Sequence, residues 1–389
     1  MDREVNRMGN RKKKILIFVG PLPPPILGES IALQSLYEAE KLHQIYNVKK
    51  MDLSRKDFED PGGLAFDKLF FDSLKLLYAG FLSMFNKEAI LYISISQTKM
   101  GLIRDCLFIR FSKISNRNRV VAHLHGNNLG GAIEATSGKL RQFIENTLKK
   151  VDVGIVLGSK LAPNYKNLVK RVEVVSNGIP ENFIKRNEID FDRQREKVSI
   201  LYLSNLMAEK GYVELIQAAA GLIKEGLDIE LNLVGAVQNE NEFQEVERFI
   251  DKNGLADRII YHGTKRGEEK KRFFLEADIM ALPTKYKVEG QPMSIIEGMA
   301  AGLPIISSDR GIIAELIEDC GILVKPEVQD IKRAIKQLAV NEKERKLLGK
   351  ISREIYEEYY TEDKYTEALV EIFNGFDHHE ASISVNSLG

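Results

Sequence analysis

Cysteine is scarce. Cys106 and Cys320 are the two thiols of a 389-residue chain, too few and too far apart for a disulfide framework, which points to a reducing, cytosolic setting. Net charge is missing as well. Lysine and arginine number 56 against 56 aspartates and glutamates, so there is no global attraction to nucleic acid, and none is expected as a partner. Long apolar runs are also lacking. The nearest, "DKLFFDSLKLLYAGFLSMF", is interrupted by Asp67, Lys68, Asp72 and Lys75, which argues against a membrane span. The start, "MDREVNRMGNRKKK", is polar and basic and does not read as a signal peptide. A cytoplasmic protein is the expectation.

What the chain does have is a rhythm. Short β-branched apolar runs alternate with amphipathic stretches, the pattern of parallel sheets with crossover helices. Strands are expected at "KILIFVG", "VKKMDL", "AILYISI", "RVVAHLH", "VGIVLG" and "RVEVVSNG", and again at "VSILYLSN", "IELNLVG", "RIIYHG", "IMALP", "PIISS" and "GILV". Between the two sets lies "PENFIKRNEIDFDRQREK", polar and charged, which reads as a linker. The length also favours two domains over one. After Pro326 the pattern is mostly helical, and "DHHEASISVNSLG" reads as a disordered tail.

In open parallel sheets ligands bind outside the carboxyl ends of the strands, so the loops there carry the functional candidates. In "GPLPPPILGES" three prolines stiffen the loop, and Gly28, before a helix expected from about Glu29, allows a ligand near the backbone; a rigid surface turn would use the same residues. In "AHLHGNN" His123 and His125 alternate off one strand. With Leu124 between them and no Cys or acidic ligand nearby they do not form a metal site. His125 suits a hydrogen bond to a substrate hydroxyl or a proton transfer, and equally a buried, satisfied histidine. In "LSNLMAEKGYVELIQA" Lys210 stands at a helix entry, a cation beside free N–H groups that suits a phosphate, or a solvated lysine. "KVEGQPMSIIEGMAAGLPII" puts Glu289 in a Gly/Pro loop and Glu297 in the helix that follows. Pro292 is expected at the first helical position.

These stretches carry a resemblance. "EGQPMSIIEGMAAGLPII" is similar to the E-x(7)-E block of the retaining GT-B glycosyltransferases of family four, the glycosyl transferases group 1 superfamily. "LYLSNLMAEKG", "FLEADIMALPT" and "VSNGIP" resemble further segments of that family in order. The resemblance implies an α/β GT-B fold, two Rossmann-like doubly wound domains facing a central cleft. An acceptor-binding domain would span 1–183, a linker 184–197, and a nucleotide-sugar-binding domain 198–360, with a helix and tail over 361–389 returning to the first domain. It implies retaining, metal-independent transfer of a hexosyl group from a UDP- or GDP-sugar to an acceptor hydroxyl, with no cofactor. The acceptor would be a saccharide or lipid-linked saccharide in surface polysaccharide or glycolipid assembly.

Carried over by position, Lys210 would contact the donor diphosphate, Glu297 the ribose hydroxyls and Glu289 the hydroxyls of the transferred sugar. Gly290, Gln291 and Met293 would lie along sugar and phosphate, and His125 near the sugar. Gly28 and Asn205 also fall on the donor side. Two positions depart from the family: Asn205 stands where an arginine usually pairs the lysine, and Gly28-Glu29 replaces a Gly-Gly pair. Two acids beside an anion site are physically sensible, because a sugar nucleotide is anionic in the middle and hydroxylated at both ends. No carboxylate is placed as a nucleophile, so front-face departure of the diphosphate is the implied mechanism.

Other signals read more plainly. "DFD", Asp190 to Asp192, lies in the charged linker and is taken as a coincidental D-x-D; His378 and His379 are too few for a metal site. The basic arm (Arg3, Arg7, Arg11, Lys12 to Lys14) and Arg110, Lys113, Arg117 and Arg119 read first as solvated faces, with peripheral contact to anionic membrane on the cytoplasmic side as the second reading. A GT-B sugar-nucleotide epimerase and a non-catalytic carbohydrate-binding scaffold are the alternative functions.

Overall fold

A computed structural model describes residues 13–24, 28–54, 88–193 and 195–385, with side chains as far as residue 376. The apolar run at 67–85 and Arg3, Arg7, Arg11 and Lys12 of the basic arm lie outside the described residues. By its contacts the chain divides into two compact units, one running to Val175 and resuming at Tyr365, the other Ser176–Lys364.

The first unit is built on a six-stranded sheet of β1 (Ile15–Gly20), β2 (Asn47–Asp52), β3 (Ile90–Ser94), β4 (Arg119–Leu124), β5 (Val153–Val156) and β6 (Val172–Val174), in the order β2-β1-β3-β4-β5-β6. Every pairing is parallel. Helices cover both faces of such sheets, so interior strands must be apolar on both sides; all five positions of β3 are buried. At the edge, β2 exposes Lys49 and Lys50, charges that discourage pairing with another chain. The terminal helix Glu362–Val385 adds Tyr365, Leu369 and Phe373 to the core around Phe18 and Tyr92. It runs through much of the stretch expected as a tail, and 377–385 indeed holds no glycine or proline to stop it.

The second unit repeats the plan with β7 (Val198–Leu203), β8 (Ile229–Val234), β9 (Ile259–Tyr261), β10 (Ile279–Leu282), β11 (Ile305–Ser307) and β12 (Gly321–Leu323), again all parallel, in the order β12-β11-β10-β7-β8-β9. All twelve strands fall where the apolar runs predict them. The charged stretch 184–197 lies within this unit. Arg193 donates to the carbonyls of Leu275 and Ala277 and pairs with Asp278 at 3.0 Å, and Lys271 pairs with Glu188 at 2.6 Å. Within "DFD", Asp190 accepts from the amide of Asp192 at 3.0 Å, a local turn. Pro292 caps the helix Met293–Ala300 and does not open it, with φ −65° and ψ 117°; a proline fits either position because neither needs its N–H in the ladder.

Both cysteines are buried and unpaired with each other. Burial pushes the Cys106 thiol up to about 12 and the Cys320 thiol to about 11, so neither is a thiolate nucleophile. Among the described residues no helix is long and apolar enough to cross a membrane.

Candidate functional site

In the second sheet the chain order reverses between β7 and β10, and the loops leaving these two neighbours diverge to opposite faces, opening a crevice at their carboxyl ends. The loop after β7 ends at Gly211, whose φ of 78° is left-handed. A side chain there would also collide with the carbonyl of Pro283, in the loop after β10. Only glycine meets both demands, and the close approach brings two expected residues together. Lys210 Nζ lies 2.6 Å from Glu289 Oε2, and Thr284 Oγ1 donates to the same oxygen at 3.1 Å. The Tyr286 ring centroid stands 4.8 Å from the ammonium, close enough for a cation–π contact. Glu289 is only 6% exposed. Removing either charge would strand its partner out of water, a loss of several kcal/mol in comparable buried pairs.

Past this pair the chain passes Gly290, whose carbonyl accepts from the Ile312 amide at 3.0 Å. Next comes Gln291, buried, its Oε1 accepting from the backbone N–H of Asn177 at 2.7 Å. Met293 opens the helix, half-buried against the core. One turn on, Glu297 is 8% exposed and its Oε1 is held by Lys270, which projects from the helix Gly267–Glu276. Burial raises the Glu297 carboxyl above its ordinary range, while the Lys270 ammonium draws it back. Asn205 is exposed, and its carbonyl accepts from the Tyr202 hydroxyl at 3.0 Å. Lys210, from the loop after β7, thus meets the stretch after β10 that carries Glu289, Gly290, Gln291, Met293 and Glu297.

Gly28 and His125 belong to the first unit. Its order reverses between β1 and β3, and Gly28 starts the helix Gly28–Glu38 that follows β1. The next residue, Glu29, accepts a short hydrogen bond from Ser94 at the end of β3. Burial raises the Glu29 carboxyl; the Ser94 bond lowers it and Asp105 raises it again. His125, just past β4, stacks on His123 with ring centroids 4.0 Å apart and planes at 27°. His123 is fully buried, and its Nδ1 lies 2.5 Å from the Tyr92 hydroxyl. Burial first, and then the neighbouring His125, hold His123 well below the usual imidazole range.

Sequence reasoning passed over Lys270, Thr284 and Tyr92. Thr284 closes the quoted "FLEADIMALPT" and was within reach. Lys270 sits in the charged run "GEEKKR", where nothing distinguishes it from solvated lysines.

Residues 184–355 match the family model "Glycosyl transferases group 1". Over 154 residues the chain is 32% identical to the amylovoran biosynthesis glycosyltransferase AmsK of Erwinia amylovora, covering 38% of this chain and 36% of that one. Among solved structures, sucrose-phosphate synthase from Thermosynechococcus elongatus superposes with a TM-score of 0.70 at 17% identity, over 94% of this chain and 100% of that one. Anabaena HepE in complex with UDP gives 0.69 at 18%, over 93% and 100%. The fold is GT-B. The family model and the glycosyltransferase relatives support the same superfamily for this chain. The matched stretches span less than two thirds of the length of the first curated relatives.

Proposed function

We propose that this GT-B protein is a retaining glycosyltransferase that moves a hexosyl group from a UDP- or GDP-sugar to an acceptor hydroxyl. The observation that carries the reading is the convergence of Lys210 and Glu289 at the β7/β10 switch point, with Glu297 on the helix just beyond. A diphosphate needs a cation and N–H groups, and the hydroxyls on either side of it need acceptors. The second unit offers both from two neighbouring loops and one helix. On donor binding Lys210 turns from Glu289 to the diphosphate, freeing Glu289 for the hydroxyls of the sugar. As the glycosidic bond breaks, charge grows on the leaving diphosphate, and Lys210 stabilises it more in the transition state than in the ground state. The diphosphate itself accepts the proton of the incoming hydroxyl, so retention requires no carboxylate nucleophile. With Lys210 and the helix N-terminus receiving the anion, transfer proceeds without a metal.

Relatives support the biological setting. AmsK is named for amylovoran biosynthesis and HepE was solved with UDP; by analogy the acceptor here is a saccharide or lipid-linked saccharide of a surface polysaccharide, met at the cytoplasmic face of the membrane. The test is incubation with labelled UDP- and GDP-sugars and a panel of saccharide acceptors, with and without a chelator, and NMR assignment of the product anomer. A retained α or β configuration, insensitive to chelation, is the expected result. Donor epimerisation without transfer, or inversion, or complete loss on chelation, would each overturn the corresponding part of the reading.

A further inference from the structure

Each acid of the candidate site is held by a lysine at one oxygen. Glu289 receives Lys210 and Thr284 on Oε2, and Glu297 receives Lys270 on Oε1. Among the described residues, no hydrogen bond reaches Glu297 Oε2, although the residue retains 8% exposure. Among the described residues, Lys270 is the charged group that acts on it. Strands β10 and β11 present Met280 and Ile305 to the same helix at Gly298. From the helix Glu342–Tyr359, packed on it, Arg353 is engaged by the carbonyls of Ile184 and Ala300 and by Glu357. Lys270 itself is anchored, with its Nζ 5.8 Å from the Phe183 ring centroid and its side chain 23% exposed.

We infer that Lys270 is a positioning residue: it occupies one oxygen of Glu297 and keeps the other as a fixed acceptor for the vicinal hydroxyls of a bound nucleotide's ribose. The inference rests on the donor-site reading given above. A buried carboxyl without a neighbouring cation takes up a proton more readily, and a protonated carboxyl both donates and turns freely, losing its selectivity for a pair of hydroxyls. Lys270 thereby acts on ribose recognition through Glu297 and does not itself touch the nucleotide. Its arrival from a different helix, residues 267–276, makes the reading of the sugar end of the nucleotide depend on two elements packed together.

The experiment compares Kd for UDP and 2′-deoxy-UDP, and for GDP and 2′-deoxy-GDP, by titration calorimetry on the full chain. The proteins are wild type, Lys270→Met, Lys270→Arg, Glu297→Gln and the Lys270→Met/Glu297→Gln double variant, with thermal melts to confirm folding. Wild type is expected to prefer the ribonucleotide by about tenfold, the scale of one hydrogen bond to a charged group. Lys270→Met should reduce that ratio to about twofold at neutral pH and regain it as pH rises and the unpaired carboxyl ionises. Lys270→Arg should retain it, and the double variant should match Glu297→Gln. A wild-type ratio in Lys270→Met, or a further loss when Lys270→Met is added to Glu297→Gln, would overturn the inference. Failure of wild type to bind either nucleotide would instead overturn the donor-site reading on which it rests.

Discussion

The two units use one backbone plan and put opposite chemistry at its reversal point. Between β7 and β10 the second unit sets an ion pair, Lys210 with Glu289, and a second pair, Lys270 with Glu297, on the adjoining helices. Between β1 and β3 the first unit also sets an acid, Glu29, but its partner is the hydroxyl of Ser94, and beyond it lie two stacked imidazoles. Burial raises the Glu29 carboxyl and lowers His123. Topology therefore decides where a ligand can be met, and the loop residues decide what kind. Under the proposed function, the ion pairs of the second unit would meet an anion flanked by hydroxyls, and the hydroxyl-bonded acid of the first unit would meet an acceptor.

The sharpest way to break this comparison is to remove the cation from the second unit. Lys210→Ala is expected to lower kcat by about 10²–10³, the cost of losing one donor to a developing oxyanion. Donor KM should change far less, because the lysine acts chiefly as charge accumulates. Donor-saturation kinetics, with circular dichroism to confirm folding, would settle it; wild-type kcat in this variant would remove Lys210 from the diphosphate.

The acids come next. Ribose contacts are alike in ground and transition states, so Glu297→Ala should weaken donor binding by about 1–3 kcal/mol and leave kcat nearly intact. Glu289→Ala should affect both and alter the preference among donor epimers, since its oxygens read hydroxyl orientation. The first unit supplies the control: Glu29→Gln should leave nucleotide Kd unchanged and raise acceptor KM by a few fold, the net worth of about one hydrogen bond. A weakened nucleotide Kd in Glu29→Gln would dissolve the contrast between the units.

What was legible in the sequence follows from the same physics. The interior strands could be read because a strand buried on both faces must be a short apolar run, as "ILYIS" and "IMAL" are. Lys210 and Glu289 could be singled out as candidates because each stands in a loop after such a run. The contact of Lys270 with Glu297 could not, because it depends on which side of the helix 267–276 faces that acid, and that helix is charged on several sides. The segment 184–197 shows the same limit. Its polar composition suggests a bare connection, yet Arg193, Arg186 and Glu188 are tied to the second unit by hydrogen bonds and ion pairs that leave no trace in apolar periodicity.

A smaller effect concerns stability. Burial and the neighbouring His125 hold His123 well below the usual imidazole range in the folded chain, whereas the unfolded chain binds a proton on an exposed imidazole below about pH 6.5. Its contribution to stability is therefore complete above that pH and falls away as pH drops, by up to about 1.4 kcal/mol per pH unit. Thermal melts from neutral to mildly acidic pH should show this slope in wild type and a shallower one in His123→Phe. Equal slopes would mean that His123 accepts a proton inside the fold, against the burial and the Tyr92 contact that surround it.

The smallest effect tests whether basic residues of the first unit reach a membrane. Of the four in the segment 110–119, three are engaged internally, Arg119 lying over the Phe376 ring at 5.8 Å from its centroid. Lys113 binds Asp152, which also accepts Lys170 at 2.6 Å, and Arg110 donates to Thr147 at 2.7 Å while lying over the Phe143 ring. Burial lowers the Lys113 ammonium, and its bond to Asp152 raises it again, the signature of a structural ion pair. Lipid contact, if it is made, then falls to Arg117, which is exposed, and to the basic arm. Replacing Arg117 by alanine should weaken sedimentation with phosphatidylglycerol vesicles by about 1 kcal/mol, and the difference should vanish at high salt. Lys113→Ala should lower the melting temperature and leave the nucleotide Kd of the second unit untouched. Equal binding of wild type to neutral and anionic vesicles would end the membrane reading, and a Lys113→Ala variant that melts like wild type would return that lysine to the solvated face.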